Sequence, residues 1–322
     1  MSVDVVLIGR NEGARLVVSL QSVLQQARRV VYVDSGSTDD SVANATKAGA
    51  QVVNLDMSIP FTAGRARNEG FDALMAFDDP PECVQFLDGD CIMAPGWLDA
   101  ASAHMRAHSD LAIVTGEQEE LHRDTTVFNQ MSDFEWKRSV GDIEACGGNM
   151  MVRTSAFHDL GGFNTTVIAA EDDELCTRLR KAGWRLERIA RHMSKHDGGR
   201  LRFAQWWKRA ERTGHGFAQV GTLHPDYFVA ERRRAWMYGL VLPIVAVIGA
   251  FGSPLVPALV FGVFALSFWK TSHGLQRDGL PPSEALHHAV FLTLGKFPNL
   301  IGMLRYHWRR LSDAQMRIIE YK

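Results

Sequence analysis

The sequence contains few cysteines, and they do not form the patterns of a metal site or a disulfide framework. Its four cysteines are spread over 322 residues, with no C-x-x-C pair among them. Disulfide-stapled secreted folds have a much denser cysteine content, and zinc sites have closely spaced ligands. The cysteine content therefore excludes a disulfide scaffold and favours a reducing compartment.

The sequence also lacks a strong charge imbalance, and its first residues do not show the pattern of a signal peptide. The formal net charge is only −2, so nothing in the overall charge suggests a nucleic-acid partner. The N-terminus reads Met-Ser-Val-Asp-Val-Val-Leu-Ile, without the basic start and apolar stretch of a signal peptide. We therefore expect no nucleic acid among the partners and an N-terminal part that stays in the cytosol.

Short apolar runs alternate with helical patterns over residues 1–200. Strands are predicted at 3–8, 30–33, 51–55 and 83–87, and helices at 14–26, 40–48 and 62–77. This alternation predicts an α/β fold, with a mostly parallel sheet covered by helices on both faces. Sheets of this kind bind ligands at the carboxyl ends of their strands.

A long uncharged stretch occupies residues 235–269, where 35 successive positions carry no charged side chain. One membrane helix needs about 20 apolar residues, so this stretch is too long for one span and short for two. A turn at Gly252-Ser253-Pro254 predicts a hairpin of two helices, at about 236–251 and 254–269. Basic residues flank it on both sides, which favours a cytosolic location for both ends. The alternative is a hydrophobic helical pair buried in a core or a dimer, so a homo-oligomer is left open.

A third apolar stretch, 285–304, is interrupted by His287, His288, Lys296 and Pro298. Arginines follow it, which suits a helix at the surface of an anionic membrane. An ordinary amphipathic helix packed on the protein is the alternative. The predicted organisation is therefore a sheet domain at 1–200, basic amphipathic helices at 201–234, a hydrophobic hairpin at 235–270 and interfacial basic helices at 271–322.

Polar loops follow the predicted strands. Asn11 and Glu12 lie after the first strand, and the segment 34–40, Asp-Ser-Gly-Ser-Thr-Asp-Asp, lies after the second. Such side chains cap helices, and they also bind bases and ribose hydroxyls; each loop taken alone favours capping. Arg65 and Arg67 open the third helix, where the helix dipole disfavours positive charge. A bound phosphate or a surface salt bridge would compensate for it.

Two acidic motifs have candidate catalytic roles. Asp88 and Asp90 flank Gly89 after the fourth strand, and residues i and i+2 of a strand face the same side. Two such carboxylates favour a hard cation, although solvated turn residues would look the same. Further along, the acidic run 171–174 opens a helix, where acids are favourable with the dipole. A general base among them is the functional alternative.

Taken in order, these motifs resemble family 2 glycosyltransferases of the GT-A fold. The matching residues are Asn11-Glu12, Val33–Asp39, Arg67-Asn68, Leu87-Asp88-Gly89-Asp90, Gly147-Gly148-Asn149, Glu171-Asp172-x-Glu174-Leu175-x-x-Arg178-Leu179 and Gly183-Trp184. The resemblance covers about residues 3–200. It implies transfer of a sugar from a nucleotide-diphosphate sugar to an acceptor hydroxyl, with inversion at the anomeric carbon.

The resemblance also implies site residues. The donor nucleotide would be held by Asn11, Glu12, Asp34, Ser35, Ser37, Asp39, Arg67 and Asp88. A divalent cation, Mg²⁺ or Mn²⁺, would be bound by Asp90, with Asp88 and His196 as further candidate ligands. The general base would be Asp172, and the acceptor side would be formed by Gly147, Gly148, Asn149 and Glu171.

The sequence further predicts a membrane-associated enzyme with its catalytic domain on the cytosolic side of the inner membrane. A UDP-sugar donor and a lipid-linked saccharide acceptor in cell-surface polysaccharide synthesis are expected. Direct transfer to polyprenyl phosphate is the first alternative; a nucleotidyltransferase and a non-catalytic sugar-nucleotide-binding protein are weaker ones. Residues 191–234 carry an excess of six basic residues. Within them, Gln205–Arg209 only partly matches the Q-x-x-R-W signature of processive synthases.

Overall fold

The structure is a computed structural model that describes residues 1–199 and 202–320. The chain divides into two compact units. The first comprises residues 1–123 and 132–199, and the second comprises residues 124–131 and the chain after residue 199.

The described part of the first unit contains a nine-stranded sheet. Its strands are β1 (Val3–Gly9), β2 (Val30–Asp34), β3 (Gln51–Asn54), β4 (Cys83–Asp88), β5 (Cys91–Met93), β6 (Leu111–Glu120), β7 (Gly141–Asp142), β8 (Met150–Arg153) and β9 (Arg185–His196). They lie in the order β3-β2-β1-β4-β8-β6-β9-β5, and β7 pairs with β9.

The first half of this sheet is parallel, as the sequence predicts. Strands β1 to β4 pair in parallel in the order β3-β2-β1-β4. The second half is mixed, because β8 runs antiparallel to both β4 and β6, while β9 runs parallel to β6. The sheet as a whole is therefore mixed rather than mostly parallel.

Helices cover both faces of the sheet, which confirms the predicted layers. The helices of this region are α1 (Ala14–Leu24), α2 (Ser41–Ala48), α3 (Ala63–Met75), α4 (Trp97–Ala107), α6 (Thr154–Asp159) and α7 (Glu171–Lys181), and α5 (Val127–Trp136) begins in the second unit and ends in the first. Side chains alternate along a strand, so Val6 faces a core with α3 and α7, while Leu7 faces another with α1 and α4. Both side chains are fully buried, and each such burial contributes about 1.5–3 kcal/mol.

The second unit is helical. Its helices are α8 (Phe203–Leu223), α9 (Val229–Trp236), α10 (Leu242–Ala250), α11 (Leu255–Arg277), α12 (Pro282–Leu294) and α13 (Lys296–Leu311). A π-helical turn, Met237–Val241, joins α9 to α10 without a break. The chain then turns at 251–254 and returns as α11, which confirms the predicted hairpin turn.

The two long helical stretches of the hairpin, Val229–Ala250 and Leu255–Arg277, are long and apolar enough to cross a membrane. Large apolar side chains cover their surface; Ile248 is 66% exposed and Phe261 is 74% exposed. A helical pair buried in the core of its own chain is therefore wrong for this hairpin. The membrane location stays a prediction.

Helices α8 and α13 pack closely. A side chain at Gly302 would lie 1.9 Å from the Glu211 carbonyl oxygen, so the helices meet backbone to backbone. Arg305 also pairs with the buried Glu211 at 2.7 Å. The C-terminal part of the third apolar stretch is thus a helix packed on protein, as the alternative interpretation predicts. Trp206, in the segment that partly matches the Q-x-x-R-W signature, is buried against Phe128 and Phe291.

Candidate active site

Three parallel strands bring the first predicted site residues to one edge of the sheet. The last residues of β1 and β2 pair as Gly9 with Asp34, and Ile8 of β1 pairs with Asp88 at the end of β4. Because the strands are parallel, the loops that follow them start at the same edge. This edge is the candidate active site.

The loops after β1 and β2 are joined by hydrogen bonds. The Asn11 backbone N–H donates to Ser37 Oγ at 2.9 Å, and Asn11 Oδ1 accepts from the Thr38 N–H at 2.7 Å. The backbone N–H of the buried Glu12 donates to Ser41 Oγ at 3.2 Å, and the Ser35 N–H donates to the Gly9 carbonyl. The N-cap residues of α1 and α2, Gly13 and Asp40, make no side-chain cap, and the side chains of Asn11, Ser37 and Ser41 bond between the two loops instead. These hydrogen bonds join the loops after β1 and β2, and we call the two joined loops the rim of the site.

Asp34 organises the second of these loops. Its Oδ2 accepts hydrogen bonds from the backbone N–H groups of Gly36 and Ser37, and its Oδ1 accepts from the Tyr32 hydroxyl. Asp39 also bonds to nearby backbone, because its Oδ1 accepts a hydrogen bond from the Ser41 N–H. Asp34 is only 3% exposed, so contact with a base through this carboxylate stays a prediction.

Arg67 joins two distant parts of the chain. From the first turns of α3 its Nη2 donates to Asp88 Oδ1 and its Nη1 donates to Glu171 Oε1, both at 2.8 Å. Burial alone would lower the pKa of Arg67, but Asp88 and Glu171 raise it above its usual value. Arg65 donates instead to the carbonyls of Ile59 and Asp56.

The arginines at the start of α3 are therefore balanced by protein groups, and the expected phosphate is not needed to compensate for them. The surface salt bridge is also wrong for Arg67, since this side chain is 2% exposed. A buried arginine between two carboxylates is costly to disturb, because loss of one partner leaves an uncompensated charge.

The Gly147-Gly148 loop leaves room for Arg67. A side chain at Gly148 would lie 1.9 Å from Arg67 Nη2, whereas one at Gly147 would be 4.0 Å from Asp172 Oδ2. Asn149, predicted on the acceptor side, is buried beneath the site. Its Oδ1 accepts from the Asp88 N–H, and its Nδ2 donates to Gln118 Oε1. Asn149 thus ties the end of β4 to β6 within the sheet.

Asp172 lies in the first turn of α7, beside Glu171. Its Oδ1 accepts a hydrogen bond from the Asp173 backbone N–H at 3.0 Å. Burial raises the pKa of Asp172 well above the ordinary value; the carboxylates of Asp173 and Glu171 raise it further, and Arg67 opposes them. A carboxylate with a raised pKa is a stronger base than an ordinary aspartate, which suits proton abstraction.

A second group of side chains lies around Asp90, directly after β4. The ligand atoms of Asp90, Cys91 and His196 lie within 4.8 Å of one another, and all three residues are buried. Asp88 is outside this group, because its carboxylate is engaged with Arg67. Asp88 as a further cation ligand therefore stays a prediction. Arg67 supplies the positive charge that Asp88 needs.

The Asp90 group fits a divalent cation. His196 Nε2 lies 3.4 Å from Asp90 Oδ1, close to the distance of about 3 Å between neighbouring ligands of an octahedral ion with bonds of about 2.1 Å. His196 Nδ1 is buried without a hydrogen-bond partner and lies 3.7 Å from Glu120 Oε2. Metal-bound histidines commonly turn their second nitrogen to a carboxylate. Cys91 Sγ accepts from Asn149 Nδ2, and a thiol is a poor ligand for a hard cation.

Sequence reasoning missed two residues at this group. Glu120 ends β6 and is 5% exposed, and its carboxylate accepts from the Gly198 N–H. The Trp136 ring packs edge-on against His196, with centroids 4.6 Å apart. Neither residue belongs to one of the motifs found in the sequence. Glu120 could have been predicted as a site residue, because it is an acid at the end of an apolar strand.

The site thus combines the joined loops after β1 and β2, three buried residues whose ligand atoms lie within 4.8 Å of one another, and an acidic helix start that Arg67 links to Asp88. The model of "Glycosyl transferase family 2" matches residues 4–161, and that of "Glycosyl transferase family group 2" matches residues 83–275. The chain belongs to the family 2 glycosyltransferases, which confirms the predicted family.

A curated relative supports this membership. The chain is 30% identical over 246 residues to a "Pre-mycofactocin glycosyltransferase" of Mycobacterium tuberculosis, a match that covers 70% of this chain and 48% of that protein. The chain thus spans about half the length of the curated relatives it matches.

Solved structures share the fold. One is the mannosyltransferase PcManGT of Pyrobaculum calidifontis in complex with GDP-Man and Mn²⁺, with a TM-score of 0.64, 17% identity and coverage of 96% of this chain and 87% of that one. Another is S. aureus TarS 1–349 in complex with UDP, with a TM-score of 0.52, 15% identity and coverage of 95% and 92%. At these identities the likeness shows the GT-A fold that the sequence predicts.

Proposed function

We propose that this protein is an inverting glycosyltransferase that transfers a sugar from a nucleotide-diphosphate sugar to a hydroxyl of a lipid-linked saccharide. The single observation that supports the proposal best is the link through Arg67, which brings Asp88 of the donor edge and Glu171, next to Asp172, into one hydrogen-bonded group. Arg67 therefore holds both Asp88, on the proposed donor side, and Glu171, the neighbour of the proposed base.

In the proposed reaction Asp172 accepts the proton of the acceptor hydroxyl as that oxygen attacks the anomeric carbon. A bond forms between the acceptor oxygen and C1, and the bond from C1 to the diphosphate oxygen breaks. The nucleoside diphosphate leaves with the electron pair, and C1 is inverted because attack comes from the opposite side. The raised pKa of Asp172 favours its part in this step.

Asp90 and His196 would hold a Mg²⁺ or Mn²⁺ ion, and Glu120 would lie behind the histidine. Such a cation neutralises negative charge on a leaving diphosphate. The rim of the β1 and β2 loops would hold the nucleoside. The GDP-Man and Mn²⁺ of PcManGT and the UDP of TarS are in keeping with this assignment, and we propose a UDP-sugar as donor.

The membrane part of the proposal is supported by the exposed apolar hairpin. Its two helical stretches are long and apolar enough to span a bilayer, with Arg232, Arg233 and Arg234 near the start of the first stretch. Positive charge on this side supports our proposal of an inner-membrane protein whose catalytic unit lies in the cytosol. With that location we also propose a lipid-linked acceptor in cell-surface polysaccharide synthesis.

The test is transfer of a radiolabelled sugar by membranes that contain the full chain. After a screen of UDP-, GDP- and dTDP-sugars with lipid extracts as acceptors, Asp172→Asn is expected to lower kcat about 100- to 10,000-fold. Asp90→Ala should lower activity and raise the Mn²⁺ concentration that half-maximal activity requires, and Asp159→Asn, a change at an exposed acid, serves as the control.

Full activity in both Asp172→Asn and Asp90→Ala would refute the mechanism. The chemical class of the product separates the two lipid acceptors. A sugar on a lipid monophosphate would establish direct transfer to polyprenyl phosphate, whereas an extended glycan would establish transfer to a saccharide.

A further inference from the structure

The helical unit contains a cavity of about 420 Å³ that the proposed reaction does not use. One wall is formed by α9 and the π-helical turn, and the others are formed by α8, through Thr222, and by α13, through Met303 and His307. Its size is within the range of ligand-binding pockets.

The charged lining of this cavity is entirely basic. Arg232, Arg233 and His307 line it, and no acidic residue does so among the described residues. The guanidinium of Arg233 makes no hydrogen bond or ion pair with the described part of the chain. A cavity of this charge favours an anion, and arginine suits phosphate in particular because its N–H groups match two phosphate oxygens.

Arg232 is held in place at the cavity. Its Nη2 donates to the carbonyls of Pro225 and Tyr227, and its Nε approaches the Phe228 carbonyl at 3.4 Å. A side chain at position 221 would lie 2.6 Å from Arg232 Nε, so Gly221 provides the space that the guanidinium occupies. These contacts fix the guanidinium through Nε and Nη2, and its Nη1 donors are not used by any of them.

Positive charge is crowded around His307. Burial lowers the pKa of His307, and the cations Arg310 and Arg232 lower it further. The structure thus gathers like charges at one side of a partly apolar cavity, where an anion would relieve their repulsion.

The remaining lining is apolar and leads into the hairpin. Trp236, Met237 and Val241 line the cavity on the helix that continues as α10, whose outer side chains, such as Val247 and Ile248, are more than 60% exposed. Met237 and Val241 are the two ends of the π-helical turn. Such turns inside helices are frequent at functional sites. One helix therefore presents arginines at one end and an uncovered apolar surface at the other.

We propose that this cavity binds the phosphate end of a polyprenyl lipid, with the phosphate on Arg232, Arg233 and His307 and the isoprenoid chain along the apolar surface of α10. The assignment of this lipid as the carrier of the acceptor rests on the proposed function. Binding itself requires no turnover.

The test is isothermal titration of the full chain in detergent with geranylgeranyl monophosphate, without a sugar donor. Geranylgeraniol, which lacks the phosphate, and inorganic phosphate, which lacks the lipid, are titrated in parallel. Both are expected to bind at least about tenfold more weakly than geranylgeranyl monophosphate, because geranylgeraniol cannot contact the basic residues through a phosphate and inorganic phosphate cannot contact the apolar surface. Arg233→Gln combined with His307→Gln should weaken binding of the lipid phosphate about tenfold or more.

The matched control is Arg234→Gln. Arg234 is the next residue along the helix, but it faces Glu231 at 3.9 Å and does not line the cavity, so its loss should change the affinity by less than about threefold. Arg233 is exposed, so Arg233→Glu is compatible with folding and gives a second variant that should abolish binding.

Four results would overturn the proposal. They are absent binding to the wild-type chain, equal binding of geranylgeraniol, equal binding of inorganic phosphate, and equal losses from Arg234→Gln and from the double variant. Because no donor is present, any of them would leave the Asp172 test untouched. Conversely, a failed Asp172 test would not affect the measurement of lipid binding.

Discussion

At the residue scale, Arg67 is the side chain on which the candidate site depends most. It is buried, its two carboxylate partners lie on β4 and α7, and the sequence separates those partners by 83 positions. The motif Arg-Asn at a helix start predicts a functional arginine. It does not predict the partners, because a pairing over this distance depends on how the chain folds.

Gly148 and Gly147 provide a matched test of the space around Arg67. Gly148→Ala is expected to displace the Arg67 guanidinium, since the new Cβ would lie 1.9 Å from Nη2, while Gly147→Ala meets only an ordinary contact at 4.0 Å. Displacement of a substrate-positioning group by about 1 Å costs about 100-fold in rate. Steady-state kinetics should show that loss for Gly148→Ala and a far smaller one for Gly147→Ala; equal effects would contradict the assigned contact.

Asp172, the proposed general base, is expected to reduce the stability of the folded protein when it is ionised. Its folded-state pKa is raised, so the folded protein holds the proton more tightly than the unfolded chain does. Protonation of Asp172 therefore favours the folded state at acidic pH, and that contribution is lost as the pH rises through the folded-state pKa.

Asp172→Asn should consequently raise the melting temperature relative to the wild type at pH 8 and do so much less near pH 4. Thermal unfolding without nucleotide or cation measures this difference. A melting-temperature difference that stays constant between pH 4 and pH 8 would contradict the raised pKa.

At the element scale, the parallel half of the sheet follows closely from local sequence. Apolar runs at 3–8, 30–33 and 83–87 are strands, and Gly49, with a φ of 90°, ends α2 as the pattern predicts. The strand pairing of the mixed half cannot be predicted from local sequence, because β6, β8 and β9 pair with strands that are far away in the sequence. The pairing of β8 between β4 and β6 is decided by side-chain packing over the whole unit, which no local pattern records.

The contact of α8 with α13 yields a prediction about helix packing. Gly302→Ala places a methyl group 1.9 Å from the Glu211 carbonyl oxygen and should cost about 1–3 kcal/mol of stability. Gly274→Ala, on α11 with no neighbour within 4 Å, should be neutral or gain roughly 0.5–1 kcal/mol. Thermal unfolding in detergent compares the two, and the contact would be refuted if Gly302→Ala melted at the wild-type temperature.

At the scale of the whole molecule, the chain combines a GT-A unit with a helical unit that exposes an apolar hairpin. Soluble monomers rarely expose large contiguous apolar patches, so the exposed side chains of the hairpin support the proposed membrane location. Both helical stretches are long enough for a bilayer, and basic residues lie at the start of the first.

Extraction of membranes with alkaline carbonate tests the hairpin. We expect the protein to stay in the pellet. Phe261→Arg, which places a charge at a side chain 74% exposed on α11, should lower the retained fraction, because arginine at the centre of a bilayer costs about 2.5–3.5 kcal/mol. Trp308→Arg, at a similarly exposed position on α13, should have a smaller effect. Release of the wild-type protein would rule out the spanning hairpin.

The sequence by itself determined the family, the strand-and-helix alternation of the first unit and the hairpin, because each depends on local periodicity or on an ordered set of short motifs. Tertiary structure alone decided that Arg67 lies between Asp88 and Glu171, that Asp90 lies with His196 apart from Asp88, and that Glu120 and Trp136 adjoin them. It also placed the arginines of α9 around a cavity with His307. The physical reason is that buried charges need partners, and which side chain supplies the opposite charge depends on distances that appear only when the chain has folded.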